Sequence, residues 1–456
     1  MNHPLDLSDL RARISGTVLA PDDEGFAEET SGFNLATLYR PDAAVGVANE
    51  ADVVEAVRFA AEHRLPVRVL ATGHGPAEPV TDGILIVTKR LDALTIDPDT
   101  ALATVGAGLK WEAVQAAAAP LGLTAITGSS PDVGAIGLTL GGGFGPLARS
   151  HGFTSDYARS FRVVTREGEA VTASAEENPD LFWALRGGKG GLGVVTELRI
   201  ELVPLPVIYA GAIVFDTPHI ETVLRGWIEW TATAPDDVTT SAAIIQFPEF
   251  DFVPEPIRGH HGIAVRFAFP GTSEDGERLA APLRALAPAL LDGIGELPTS
   301  MMGVIHSDPT TPLPAWDRGM LLASADQDLA TVLLDQVGAG SRTPLMITEL
   351  RHLGGRTATD VPEGSAVGGR AGAYSFYTIG VPDPSLFETV LPAAADRLVE
   401  ALAPWVSPQT NVNFAGRFTS REHFASAWPP EIFERLEAVR TAYDPLGLFT
   451  YGPPAR

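Results

Sequence analysis

The chain contains no cysteine, which removes disulfides, thiolate metal sites, iron–sulfur clusters and cysteine nucleophiles from consideration. Nowhere do apolar residues run unbroken for the ~18 positions that a membrane-spanning helix needs. Basic residues are scarce. The 32 Lys and Arg stand against 57 Asp and Glu, for a net charge of -25, and this acidity opposes binding to nucleic acid or to an anionic membrane. No basic segment followed by an apolar one opens the chain, so no secretory signal is read and a soluble cytoplasmic protein is expected. The ten histidines show no H-E-x-x-H or comparable ligand spacing, and no metal site is expected. Ser130 is followed by Pro131 and Asp132, so no G-x-S-x-G nucleophile elbow is present.

What the chain does have is glycine, 46 residues of it, concentrated in a few turns. Ala71-Thr-Gly-His-Gly75, Gly128-Ser-Ser-Pro-Asp-Val-Gly134, Gly141-Gly-Gly-Phe-Gly145 and Ala184-Leu-Arg-Gly-Gly-Lys-Gly-Gly-Leu-Gly-Val-Val195 lie between segments that read as ordinary strand and helix. Glycine at this density marks backbone that approaches a ligand closely or takes positive φ. Several such turns in one stretch suggest a long, phosphate-bearing ligand lined by backbone N–H groups.

With 456 residues, 45% of them apolar, two domains are expected. Apolar spacing predicts helices over 51–63 and 111–121, and β-rich runs predict strands at 67–70, 84–87, 101–105, 161–165 and 193–202. After the proline-rich segment Val203-Pro-Leu-Pro206, strands are read at 241–245, 263–269, 345–353 and 373–379. Helices are read near 276–290, 326–337 and 384–403, and again at 433–443. The expected fold class is α+β: a first domain over 1–205, a second over 206–405 with an antiparallel sheet backed by helices, and a segment over 406–456 returning to the first.

Gly188-Lys-Gly-Gly-Leu-Gly193 satisfies G-x-G-x-x-G literally. A dinucleotide fingerprint of the Rossmann kind needs a strand before it and a helix after it. Here a helix precedes and a strand follows, so that site is disfavoured. Lys189 also lacks the Ser or Thr that follows a P-loop lysine.

Taken together, the turns resemble the vanillyl-alcohol-oxidase / p-cresol-methylhydroxylase (PCMH-type) superfamily of FAD enzymes, in its berberine-bridge-enzyme-like branch. The resemblance is carried by Thr72-Gly-His-Gly75, by Gly128 to Gly134, by Gly141 to Gly145, by Asp180-Leu-Phe-Trp-Ala-Leu-Arg-Gly-Gly188 and by Gly193-Val-Val-Thr-Glu197. It is strong over roughly 39–204, looser over 411–449, and one of texture only between. It implies a two-domain fold with FAD held by Thr72, Gly73, His74, Gly75, Gly128, Ser129, Ser130, Val133, Gly134, Gly137, Gly141, Gly142, Gly145, Gly193, Val194, Val195 and Tyr451. His74 occupies the slot of a histidine often bonded to the flavin 8α-carbon. Ser130 stands where many relatives have a second, cysteinyl link, so at most one covalent bond is expected. Val133 falls beside the ring position that controls oxygen access, and its small side chain leans towards an oxidase.

Strand alternation places Glu349 and Arg351 on one face of 345–353, with Thr348, Leu350 and His352 on the other. Asn411-Val-Asn-Phe414 resembles a family element whose first residue, usually tyrosine, faces substrate. Glu349, Arg351, His352 and Asn411 are the catalytic candidates, with Tyr374, Tyr377 and Arg370 as weaker ones. The expected activity is oxidation of an alcohol carbon on a small polar substrate, a sugar or glycoside, with electrons passed through FAD to dioxygen. An amine oxidase of the same fold, or a dehydrogenase feeding another acceptor, are the alternatives.

Overall fold

The structure, a computed structural model, describes residues 5–75, 78–249 and 253–453. Its first half builds two small sheets. One has the order Thr17–Leu19, Ala43–Gly46, Ile84–Val87, Val67–Leu70, the last three running parallel. Ile84–Val87 is buried at every position, as befits a central parallel strand covered on both faces. The other is antiparallel, in the order Leu94–Asp97, Leu102–Gly106, Val194–Glu201, Ala158–Val164, Ala170–Ser174.

The helix Glu50–His63 shows how local chemistry sets these elements. The Asn49 side chain accepts from the Asp52 N–H at 3.0 Å and caps it. Val53, Ala56, Val57 and Ala60 form its buried stripe. The buried Asp52 carboxylate reaches back to the N–H groups of Ser15, Gly16 and Ala48 at 2.8–3.0 Å, locking the helix start to its neighbours.

The second half is one eight-stranded antiparallel sheet. Its order is Ala289–Asp292, Val207–Asp216, His261–Phe269, Thr239–Gln246, Leu345–His352, Tyr374–Gly380, Asp317–Leu322, with Gly295–Pro298 also on Val207–Asp216. Helices Ile220–Thr231, Ser273–Arg284, Gln327–Val337 and Val390–Ala401 contribute to a core on one face that includes Trp227, Phe267, Leu350 and Phe376. The other face meets the glycine turns of the first half. A separate core gathers residues from Leu7 to Leu202, and Val412, Phe424, Trp428, Leu436 and Phe449 from the end of the chain join it.

Several elements differ from the sequence reading, among them the helix Ile220–Thr231, which was not read. The helix expected near 276–290 stops at Arg284 and gives way to strand Ala289–Asp292, because Pro288 disfavours helical backbone in the residue before it. Strand Val207–Asp216 begins directly after Pro206. Strand Asp317–Leu322 was not read at all. No helix of the described residues is long and apolar enough to cross a membrane.

Candidate active site

The glycine turns converge into a cradle, but most of its glycines serve the packing of one turn on another. A Cβ on Gly145 would stand 2.3 Å from the Thr127 carbonyl oxygen, and one on Gly193 2.8 Å from that of Val164. A Cβ on Gly141 would meet Asn413 Oδ1 at 2.1 Å, so that glycine admits the returning tail rather than a ligand. Among the glycines expected to hold the cofactor, only Gly75 and Gly137 would place a Cβ in open space, with nothing of the described residues within 4 Å. Gly128 packs on Leu138, Gly134 on Thr72, and Gly142 on Phe153 and Val367. Val194 and Val195 lie in the first core. The Tyr451 ring packs on Gly190 and edge-on against Phe424, 5.7 Å away.

His74 is held on two sides. Its ring stacks on Phe33 at 3.7 Å, and Nε2 lies 2.9 Å from Asp132 Oδ2. Lys110 pairs with the other oxygen of Asp132. Burial lowers the imidazole pKa below its ordinary value, outweighing the opposing pull of Asp132, so the ring is neutral near pH 7. A carboxylate at Nε2 fixes the proton on that nitrogen and leaves the Nδ1 lone pair free. Thr72 Oγ1 accepts from the Gly134 N–H at 3.2 Å, tying this turn to the next. The buried hydroxyls of Ser130 and Thr127 have no hydrogen-bond partner.

Opposite the cradle, cross-strand register lines up two rows of side chains. The first runs Arg266, Ser241, Arg351, Ser375, Leu321; the second runs Ala264, Ala243, Glu349, Tyr377, Gly319. Directly opposed residues share a face of the sheet. Glu349 is buried with both oxygens engaged, Oε1 by Arg266 at 2.7 Å and Oε2 by Arg351 at 2.8 Å. Burial alone would raise its pKa, but the two guanidinium groups hold it well below the usual carboxylate range. A carboxylate so saturated is a poor proton acceptor; it orients Arg351. That arginine reaches Ser129 Oγ at 3.3 Å and lies over the Phe414 ring at 5.1 Å, joining sheet, cradle and tail. His306, on the turn after Thr299–Ile305, sits 3.6 Å from Glu349, and neither ring nitrogen has a hydrogen-bond partner. Burial, with Arg351 and Arg266 nearby, lowers its pKa to about 4.

The structure does not bring His352 to this face. Its ring stacks on Tyr374 at 5.0 Å on the other side of the sheet, 3.3 Å from Arg149, and burial lowers its pKa to about 3. Asn411 is buried, but its Oδ1 accepts from the Asn413 N–H at 3.0 Å and shapes the tail turn. Arg370 is bound to Asp156 at 2.6 Å, away from the rows.

Sequence reasoning missed Asp317 and undervalued Tyr377. The Asp317 carboxyl lies beside the Tyr377 phenol; burial raises the carboxyl pKa to about 6, against that contact. Burial and the neighbouring carboxyl raise the phenol well above its ordinary value. Asp317 Oδ1 is buried without a hydrogen-bond partner. The available signal was alternation in Asp317-Arg-Gly-Met-Leu-Leu322, which places Asp317, Gly319 and Leu321 on one face.

Residues 41–174 match the family described as FAD binding domain. An (R)-6-hydroxynicotine oxidase of Paenarthrobacter nicotinovorans is 35% identical over 225 residues, 49% of this chain and 46% of the relative. The chain spans about half the length of the curated relatives it matches first. Among solved structures, a 6-hydroxy-D-nicotine oxidase from Arthrobacter nicotinovorans superposes with a TM-score of 0.82 at 25% identity, covering 96% of each chain. A carbohydrate oxidase from Microdochium nivale gives 0.83 at 20% identity over 97% of each, a likeness of fold. The chain therefore carries an FAD binding domain over residues 41–174 and shares the two-domain fold of these oxidases along nearly its whole length. The cofactor is FAD, and the residues fit it: the backbone at Gly75 and Gly137 faces open space, and buried hydroxyls at Thr127 and Ser130 beside the same turns lack a partner within the chain's described residues.

Proposed function

We propose that the protein is an FAD-dependent oxidase of a hydroxyl-bearing small molecule, with a sugar or glycoside as the favoured class. One observation carries this reading: a buried carboxyl, Asp317, whose pKa is raised to about 6, stands beside the Tyr377 phenol on the face that meets the cradle. Oxidising an alcohol carbon requires a group that takes the hydroxyl proton, within hydrogen-bond reach. Tyr377 accepts that proton and passes its own to Asp317, which is ionised near neutral pH. Arg351, oriented by Glu349, donates hydrogen bonds to further substrate oxygens. FAD, when bound, supplies the acceptor for the hydride and returns the electrons to dioxygen as hydrogen peroxide. Val133 leaves room for that oxygen.

His74 is the residue for a single covalent link to FAD, with Nδ1 as the attacking atom and Ser130 unable to form a second. Acid-precipitated protein should keep its yellow colour, and His74→Ala should release it into the supernatant.

A second reading is oxidation of a secondary amine, favoured by the likeness to the nicotine oxidases; it needs no strong base. Mixing sugars, glycosides, aryl alcohols and cyclic amines with the protein without oxygen and following loss of flavin colour separates the two. Bleaching by amines alone would refute the alcohol reading. Peroxide formation in air checks the oxidase assignment, whereas reoxidation only by an artificial dye would make the protein a dehydrogenase.

A further inference from the structure

Neither the fold nor the proposed chemistry accounts for Lys189. It stands in the turn between helix Pro179–Leu185 and strand Val194–Glu201, at φ 68 among glycines, a backbone conformation that side chains bearing a Cβ rarely adopt. Its ammonium donates to the Gly137 carbonyl at 2.6 Å and to Asn413 Oδ1 at 2.6 Å. Both acceptors are neutral. Burial alone sets its pKa, lowering it to about 8, with no carboxylate acting on it. Near pH 7 the group is therefore a protonated cation held by two neutral acceptors, with no anionic partner among the described residues, an arrangement that is costly unless something compensates it.

The neighbours indicate what does. Gly137, whose carbonyl Lys189 holds, is one of the two cradle glycines at which a side chain would meet open space. Asn413 also donates to the Leu138 carbonyl at 2.9 Å, so lysine and asparagine together grip the helix Ala135–Leu140. The next residue, Phe414, stacks its ring edge against Tyr377 at 5.4 Å and lies under Arg351 at 5.1 Å. Lys189 is thus one residue removed from the wall where cradle and sheet meet, the place that the reacting ring of the cofactor has to occupy if hydride is to pass to it from a substrate on the sheet.

We propose that Lys189 is a fixed counter-cation for that ring, strengthening its tendency to take up a hydride. Hydride uptake adds negative charge to the ring, and a preorganised positive group in an enclosed site stabilises charge as it develops. The proposal rests on the FAD assignment and is independent of whether the substrate is an alcohol or an amine.

Sulfite tests it without substrate, because this small anion adds to an electron-poor flavin ring and bleaches its colour. In Lys189→Met, which keeps the side-chain volume and removes the charge, sulfite affinity should fall tenfold or more. The flavin midpoint potential should drop in parallel, by about 30 mV for a tenfold change in a two-electron couple. Lys189→Arg should keep both within about threefold of the parent. Should the methionine variant not fold, Lys189→Gln retains hydrogen bonding to both acceptors and carries the same expectation. Coloured variants with unchanged sulfite affinity and potential, altered only in thermal stability, would overturn this proposal alone and leave Lys189 as a brace between helix and tail. Parent protein that takes up no FAD overturns the proposal together with the assignment beneath it.

Discussion

The two walls of the cleft are made of different material. The cradle works through its backbone: its glycines let turns pack within 2–3 Å of where side chains would stand. The sheet works through side chains: Arg266 and Arg351 in one cross-strand row, Glu349 and Tyr377 in the next, and Asp317 on the same face beside the tyrosine. Backbone cradles recognise what is common to every FAD, whereas side-chain rows determine what is oxidised.

The sharpest way to break this division is Tyr377→Phe. If the sheet wall carries the proton transfer, kcat/KM on the alcohol substrate should fall by about 10²–10⁴ while FAD content stays unchanged. A loss below tenfold would place the chemistry elsewhere. Second in size is Glu349→Gln, which leaves two buried guanidinium groups short of a counter-charge. Removing one partner of such a buried arrangement costs about 3–5 kcal/mol, measurable as a shifted denaturation midpoint. Retained stability would mean that the ionic row is less enclosed than its burial suggests.

Asp317 adds a pH signature. Its pKa is raised in the folded protein from 3.8 to about 6, so its contribution is fully present below pH ~4 and is lost as pH rises through about 6. Asp317→Asn should therefore be more stable than the parent at pH 8, by about 1–3 kcal/mol, with the gap closing towards pH 4. Its turnover of alcohol should lose the rise that the parent shows through pH 6. The smallest effect sharpens the other wall. Gly145→Ala should cost about 1–3 kcal/mol through overpacking against Thr127 and Gly128, whereas Gly75→Ala should change stability by less than ~0.5 kcal/mol and weaken FAD retention instead. Equal behaviour of the two glycines would contradict the contact pattern.

How far the sequence could be read follows the same division. Glycine density located the cradle, because a conformational demand is written into residue type. It could not tell which glycines touch a ligand: Gly141 and Gly193 were expected to, yet the first makes way for Asn413 and the second for the strand Ala158–Val164. On the sheet, alternation correctly separated Glu349 and Arg351 from His352, since parity is a local property. Arg351 could be paired with Glu349 in this way, but the second partner was out of reach, because Arg266 lies 83 residues away and becomes a neighbour only through register. Asp317 was missed for a local reason. Its strand opens Asp-Arg-Gly, residues of low or indifferent β preference, and two prolines, Pro312 and Pro314, precede it.

Gly319 lies opposite Tyr377 in its row, and a Cβ there would stand 2.0 Å from the Phe414 carbonyl oxygen. The notch it leaves admits residues 411–414, so a single missing Cβ sets how closely the returning tail can lie against the sheet beside Tyr377.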